Sequence, residues 1–191
     1  MKLICLGDSQ TFCYGLYGAD KWTSILGENL GWEVINAGIN GDTTGGMLAR
    51  IKRDVLDKKP DIVMIMGGGN DYIMGCDQSV VRANIMAMVQ QCFIAKVKVY
   101  IASQIHIHPD LVKDEWKALA NLEEVNRKTE EQSIWYPDFC NAFPELEYIN
   151  LQKLYAEEVE DERKYTRDGL HPNKEGAKII AKILTNVFNV L

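Results

Sequence analysis

The stretch Lys2-Leu3-Ile4-Cys5-Leu6-Gly7-Asp8-Ser9 determines both the expected fold and the candidate site of this chain. Its four consecutive apolar residues predict a buried β-strand, and the Gly7-Asp8 pair predicts a turn at the carboxyl end of that strand. Ser9 then lies at the sheet edge where ligands and catalytic groups collect in open α/β folds. A serine hydroxyl is a poor nucleophile without a base, so the placement matters only if a histidine reaches it.

Short apolar runs alternate with stretches of helical periodicity along the rest of the chain. This pattern predicts repeated βα units on a mostly parallel sheet. The expected strands are residues 2–6, 33–36, 61–66, 97–103 and 147–151. Asp20 is expected to cap a helix that ends at Gly31, and the final helix has an apolar face running from Ala177 to Leu191. A chain of 191 residues with 47% hydrophobic content suits one domain, residues 1–191.

Composition excludes several classes of function. The net charge of −6, from 27 acidic and 21 basic residues, disfavours nucleic acid as a partner. Five cysteines without a C-x-x-C pair favour neither a disulfide framework nor a zinc site. No apolar run is long enough for a membrane span or a signal peptide, so a cytoplasmic location is expected. The glycine patterns typical of nucleotide-binding loops are absent, and no cofactor or metal is expected.

The sequence Asp168-Gly169-Leu170-His171-Pro172 supplies a candidate base for Ser9. A carboxylate three residues before an imidazole can orient one ring nitrogen while the other faces outward. This is the arrangement of orienting group and base in a serine triad. A lone D-x-x-H more often combines a turn cap with a surface histidine, but the presence of Ser9 favours the catalytic interpretation.

Acyl transfer also needs hydrogen-bond donors for the oxyanion, each contributing roughly 3 to 4 kcal/mol in the transition state. Three candidates follow successive predicted strands: the backbone N–H groups of Ser9 and Gly41 and the side-chain amide of Asn70. They share one sheet edge if the strands are parallel.

These residues resemble the four sequence blocks of the SGNH hydrolases, also called GDSL lipases or esterases. The blocks occur in the family's order and extend over the whole chain. They are Gly7-Asp8-Ser9, residues 36–43 with Gly41, Gly68-Gly69-Asn70-Asp71, and the Asp168 and His171 pair. The resemblance implies a flavodoxin-like three-layer α/β/α sandwich with a five-stranded parallel sheet. The pattern has one departure, Gln10 in place of leucine, which touches no proposed proton transfer.

The function that the resemblance implies is hydrolysis of a small-molecule carboxylic ester through an acyl-enzyme. Lysophospholipase-like, esterase-like and thioesterase-like substrates are all compatible with the motifs, with a carbohydrate O-acetyl esterase as an alternative. A non-catalytic binding module on the same sheet is the less favoured hypothesis. Loops determine substrate specificity, so the sequence does not identify the acyl and alcohol groups of the substrate. It does not predict the oligomeric state either.

Other features have competing interpretations. His106 and His108, read as an H-x-H pair on one face of a strand, have no third ligand at metal-binding spacing, so they are interpreted as rim or ordinary loop histidines. The aromatic-rich residues 110–144 form either an acyl-binding wall or core. Acidic residues 157–162 are predicted to be solvated surface, and Cys13 to be buried packing.

Overall fold

The computed structural model of the chain describes residues 1–190, and the predicted apolar position Leu191 lies outside it. Within the described residues one sheet contains five strands in the order β2-β1-β3-β4-β5. The strands are β1 (Lys2–Gly7), β2 (Glu33–Gly38), β3 (Ile62–Met66), β4 (Lys98–Ala102) and β5 (Leu146–Ile149). All neighbouring strands pair in parallel, which is the topology of flavodoxin-like doubly wound sheets. The predicted α/β class and its five-stranded parallel sheet are confirmed.

The α-helices connect the strands and cover both faces of the sheet. Those in residues 1–190 are α1 (Ser9–Phe12), α2 (Trp22–Leu30), α3 (Thr44–Asp54), α4 (Gly69–Ile73), α5 (Gln78–Ile94), α6 (Asp114–Lys117), α7 (Leu122–Asn141), α8 (Leu151–Glu158) and α9 (Lys174–Phe188). Across these residues no helix combines the length and apolar character that a membrane crossing requires.

The sheet separates two hydrophobic cores. Successive side chains of β1 alternate between them, so that Leu3 and Cys5 pack on one face and Ile4 and Leu6 on the other. Helices α2, α8 and α9 cover the first face, and α3, α5 and α7 cover the second. Every residue of β3 is buried, as its continuous apolar run requires. The result is the predicted three-layer sandwich.

Several predicted boundaries differ from the structure by one or two residues, and two of these differences have a visible cause. Asp20 does not cap α2, because it lies in a preceding 3₁₀ turn and its carboxylate pairs with the Lys174 Nζ of α9 at 2.8 Å. The residue before α2 is Lys21, which makes no side-chain capping bond.

The last strand ends at Ile149 and not at residue 151, because the Asn150 side chain accepts a hydrogen bond from the Lys153 N–H and starts α8. A tertiary ion pair and a helix cap thus override the local interpretations.

The aromatic-rich segment is mostly core. Trp135 and Phe139 of α7 stack with their ring centroids 4.7 Å apart, and Tyr136 between them is buried. Trp116 differs, because half of it is exposed and it lines the candidate site described below. Cys13 is fully buried, as predicted.

Candidate active site

The candidate site lies where the topology of the sheet opens a crevice. The connection from β1 to β2 and that from β2 to β3 lead to opposite faces, so the carboxyl ends of β1 and β3 form a topological switch point. The loops after β1, β2 and β3 carry Ser9, Gly41 and Asn70 respectively. All three residues line one cavity of about 100 Å³.

Ser9 is the first residue of α1, which packs tightly onto the sheet. The Asp8 side chain caps this helix, with its Oδ1 accepting a hydrogen bond from the Gln10 N–H at 2.9 Å. A Cβ atom at Gly7 would lie 2.1 Å from the Thr11 Oγ1 and 2.4 Å from the Met66 carbonyl oxygen. The role of Gly7 is therefore close packing, whereas the sequence suggested a turn conformation.

Ser9, His171 and Asp168 are joined in a chain of hydrogen bonds. The His171 Nε2 lies 2.9 Å from the Ser9 Oγ, and its Nδ1 lies 2.9 Å from the Asp168 Oδ2. Burial pushes the pKa of Asp168 up, but the His171 hydrogen bond and charge, together with the Leu170 and His171 N–H groups, outweigh it and hold the pKa below its ordinary value. A carboxylate that stays ionised can fix the histidine tautomer with the Nε2 lone pair toward serine.

The turn that carries Asp168 and His171 is held by the loop that follows β4. The His108 N–H donates to the Gly169 carbonyl oxygen at 2.8 Å. Gly169 has a φ of +81°, and a Cβ there would come within 2.6 Å of the His108 carbonyl oxygen. The imidazole of His171 is largely buried, with the Tyr14 ring centroid 4.7 Å from its own. Packing and backbone contacts thus fix the position of His171 from both sides.

Three hydrogen-bond donors surround the cavity beside Ser9. Within residues 1–190 no protein acceptor takes a hydrogen bond from the N–H of Ser9 or of Gly41, whose φ is +74°. The Asn70 Nδ2 donates to the Asp42 carbonyl oxygen at 2.9 Å and makes a longer contact of 3.3 Å with the Asp8 Oδ2. The cavity beside the serine hydroxyl is therefore bordered by N–H donors from three segments.

Asp8 links these loops through a buried carboxylate that the sequence suggested only as a turn residue. Burial raises the pKa of Asp8 to about 6, although hydrogen bonds from the Gln10 N–H and the Gln104 side chain oppose the shift. The Gln104 Nε2 donates to the Asp8 Oδ2 at 2.8 Å, and its Oε1 accepts the Gly69 N–H at 2.7 Å. Gln104 therefore fixes the loops after β1, β3 and β4 relative to one another.

Arg50 of α3 is the main residue that sequence reasoning missed. Its side chain is only 8% exposed and ion-pairs with Asp42 at 2.7 Å and Asp54 at 3.0 Å. It also donates to the carbonyl oxygens of Gly7 and Ala37, at the ends of β1 and β2. The sequence signal for this buried residue was a cation next to the apolar Met47 and Ile51 of the same helix, with Asp42 and Asp54 near enough along the chain to form ion pairs.

Asp71 forms a second clamp between these loops. Its carboxylate accepts hydrogen bonds from the Thr44 N–H at 2.9 Å and the Thr44 Oγ1 at 2.6 Å. Burial raises the pKa of Asp71. The contact ties the start of α3 to α4 and so positions Gly41 relative to Asn70.

The two remaining histidines lie outside the candidate cavity. β4 ends at Ala102 and both histidines follow it in irregular backbone, so they do not share one face of a strand as an H-x-H metal pair would require. The His106 Nδ1 contacts the Glu162 Oε1 at 3.1 Å, and this hydrogen bond raises the pKa of His106. Glu162 is thus one member of the predicted acidic surface run that is not simply solvated. Residues 1–190 contain no group of three or more His, Cys, Asp or Glu side chains suited to a metal.

Comparison with known proteins identifies the family. Residues 5–179 match the model of the GDSL-like lipase/acylhydrolase family. An arylesterase from Vibrio mimicus is 29% identical over 96% of this chain and 86% of its own length. The thioesterase 1/protease 1/lysophospholipase L1 of Escherichia coli is 26% identical over 94% of this chain and 79% of its own length. A lipolytic protein of the G-D-S-L family from Desulfitobacterium hafniense superimposes with a TM-score of 0.80 at 23% identity, covering 97% and 98% of the two chains.

The fold and this match define a carboxylic ester hydrolase. The chain belongs to the GDSL-like lipase/acylhydrolase family, which confirms the resemblance found in its four sequence blocks.

Proposed function

We propose that residues 1–191 form one hydrolase domain that cleaves small-molecule acyl esters with Ser9 as nucleophile, His171 as general base and Asp168 as the orienting carboxylate. The observation that carries the proposal is the continuous hydrogen-bond chain from the Ser9 Oγ through His171 to Asp168. It joins residues 162 positions apart beside a cavity of amide donors. A purely structural role for Ser9 would not require a histidine, a carboxylate and amide donors around its hydroxyl.

In the first half-reaction His171 Nε2 takes the Ser9 proton while the Oγ attacks the ester carbonyl carbon. The tetrahedral oxyanion then accepts hydrogen bonds from the N–H groups of Ser9 and Gly41 and from the Asn70 amide. The long Asn70 contact to Asp8 is the one that the oxyanion replaces, whereas the shorter contact to the Asp42 carbonyl keeps the amide in place. Each such donor contributes roughly 3 to 4 kcal/mol to the transition state.

Collapse of the intermediate breaks the ester C–O bond, and His171 gives its proton to the departing oxygen. Water then attacks the acyl-serine with His171 again as base, and the Ser9 hydroxyl is regenerated. No step requires a metal or an organic cofactor. The apolar side chains of Ile73, Ile107 and Trp116 border the same cavity and favour an apolar acyl group there.

The test is Ser9→Ala, assayed with para-nitrophenyl acetate. Loss of the nucleophile should lower kcat by at least about 10⁴-fold. A fluorophosphonate should modify the wild-type protein at Ser9, as read by mass spectrometry of the peptides, and leave the variant unlabelled. Ser79→Ala, on the exposed start of α5, is the matched control and should retain activity and labelling. Wild-type turnover by Ser9→Ala would refute the proposal.

A further inference from the structure

A second cavity adjoins the candidate active site. Its volume is about 380 Å³, and it shares Tyr14, Trp116, Leu170 and His171 with the first cavity. The residues found only in the second cavity are Lys113, Arg167 and Asp168. The first cavity carries the amide donors, and the second carries the cations.

These cations differ from those beside them along the chain. Lys117 pairs with Asp114, and Arg163 pairs with Asp110. Within residues 1–190, Lys113 and Arg167 have no carboxylate within ion-pair distance. The one carboxylate of the cavity, Asp168, is already hydrogen-bonded to His171 and to two backbone N–H groups. In a chain of net charge −6, this cavity therefore presents positive charge to whatever enters it.

Arg167 is also held in place. Its Nη1 donates to the Gly15 carbonyl oxygen at 3.2 Å. A Cβ at Gly15 would lie 2.6 Å from the guanidinium carbon, so the planar group packs directly against the glycine backbone. A positioned guanidinium binds oxyanions with little loss of side-chain entropy.

The orientation of the bound ester determines which part of the substrate lies near the second cavity. This step rests on the proposed function. The oxyanion faces the amide donors of the first cavity. The leaving oxygen or sulfur must face His171, since that residue returns the proton. The leaving group therefore lies on the His171 side of the site, and the second cavity, with Lys113 and Arg167, adjoins that side.

We infer that the alcohol or thiol released by this enzyme carries an anionic group, such as a phosphate, sulfonate or carboxylate, which Lys113 and Arg167 bind in the second cavity. The anion takes no part in bond making or breaking. It orients the ester so that the leaving atom meets the His171 Nε2. The charge on the leaving group thus becomes a determinant of specificity.

The experiment compares two acetyl esters that differ in charge and little else, para-acetoxybenzenesulfonate and its neutral sulfonamide analogue. The wild-type kcat/KM ratio, anionic to neutral, should exceed one and should fall as ionic strength rises from about 0.01 M to about 0.5 M, because exposed charges are then screened. Lys113→Gln combined with Arg167→Gln should lower the ratio about tenfold. Arg167→Glu should bring it below one.

The ratio corrects for any general loss of activity in these variants. Lys178→Gln, which removes a surface cation of α9 that lines neither cavity, should leave the ratio and the activity as in the wild type. A ratio unaffected by Lys113, Arg167 and salt would overturn the inference while Ser9-dependent hydrolysis of the neutral ester left the proposed function intact. Failure of the Ser9→Ala test would instead remove the proposed function.

Discussion

The two sides of the candidate site are built differently. The side that carries Ser9, Gly41 and Asn70 follows three adjacent strands and is tied together by buried charges, chiefly Arg50 with Asp42 and Asp8 with its amide partners. The side that carries Asp168 and His171 is a turn off the sheet, closed by its own backbone. The contacts that connect that turn to the rest, such as the His108 N–H to Gly169 and the Gln10 side chain to Leu170, involve no buried ion pair.

Because of this difference, we expect substitutions on the two sides to affect different properties, stability on one side and activity on the other. Contacts of the sheet side hold the carboxyl ends of the strands, so breaking them should unfold the protein. Contacts of the turn side set the position and tautomer of one imidazole, so breaking them should remove activity from a folded protein. Four experiments test this contrast.

The largest effect should come from the turn side. Asp168→Ala removes the hydrogen-bond partner of the His171 Nδ1 and, if the proposed roles hold, should lower kcat about 10⁴-fold, the loss seen in established serine triads. The melting temperature should change little, because Asp168 is partly exposed and bonds mainly within its own turn. Steady-state kinetics and thermal melts of the same preparation measure both effects. Unfolding of this variant would show that the turn is part of the structural core.

On the sheet side, Arg50→Met should cost about 3 to 5 kcal/mol of unfolding free energy, because it leaves the Asp42 carboxylate and two strand-end carbonyls without their partner. Urea denaturation measures the change. Arg53→Met is the matched control, since that side chain is exposed on the same helix, and it should stay within about 0.5 kcal/mol of wild type. Equal effects of the two substitutions would contradict the proposed role of Arg50.

The pH dependence of stability should report Asp8. Its pKa is about 6 in the folded protein against an ordinary value of 3.8, so the folded state holds a proton that the unfolded state has already released between those values. This contribution to stability is complete below about pH 4 and is lost as the pH rises through about 6. Relative to Asp8→Asn, the wild type should therefore gain up to about 3 kcal/mol on going from pH 7 to pH 4. A difference that does not vary with pH would show that Asp8 titrates normally.

The smallest effect should come from Gln10, which bridges the two sides. Its Nε2 contacts the carbonyl oxygens of Ile105 and Leu170 at 3.3 Å, and its Oε1 accepts the Ile105 N–H at 3.1 Å. Gln10→Leu restores the residue typical of the family pattern but should cost about 1 to 3 kcal/mol of stability, since it leaves the Ile105 N–H unpaired.

Gln10→Leu should also lower kcat several-fold at constant KM, because Leu170 precedes the histidine. The matched control is Gln132→Leu, which breaks the buried hydrogen bond between Gln132 and the Tyr72 hydroxyl, two side chains that line neither cavity, and should lower stability without lowering kcat. If both variants kept the wild-type kcat, Gln10 would have only a structural role.

The sequence predicted the parts of the site that depend on short-range pattern. Three features are visible without coordinates: a serine after an apolar strand, an amide after another strand, and an Asp-x-x-His turn. The parallel sheet implied that the serine and the amide share one edge. The structure places Ser9, Asn70 and His171 at the same cavity, with Asp168 hydrogen-bonded to His171 beside it. The nucleophilic and basic roles remain proposals that the substitutions above test.

What the sequence could not provide were contacts between distant segments. Asp20 has every local feature of a helix cap, yet its carboxylate pairs with a lysine of the last helix and α2 begins two residues later, at Trp22. The clusters around Arg50 and Asp8 join four different loops, so no single window of sequence contains them. The second cavity is likewise visible only once Lys113 and Arg167 are brought together.

The separation of Ser9 from His171 by nearly the full chain has a consequence during synthesis. During synthesis, Ser9 and the segments that form the five strands leave the ribosome before His171 does. The helix that follows His171 packs against α2 near the amino terminus, so docking of the last segment is the step that brings the two groups into contact. The proposed nucleophile and base therefore meet only after the segment that carries His171 has been synthesised and has docked.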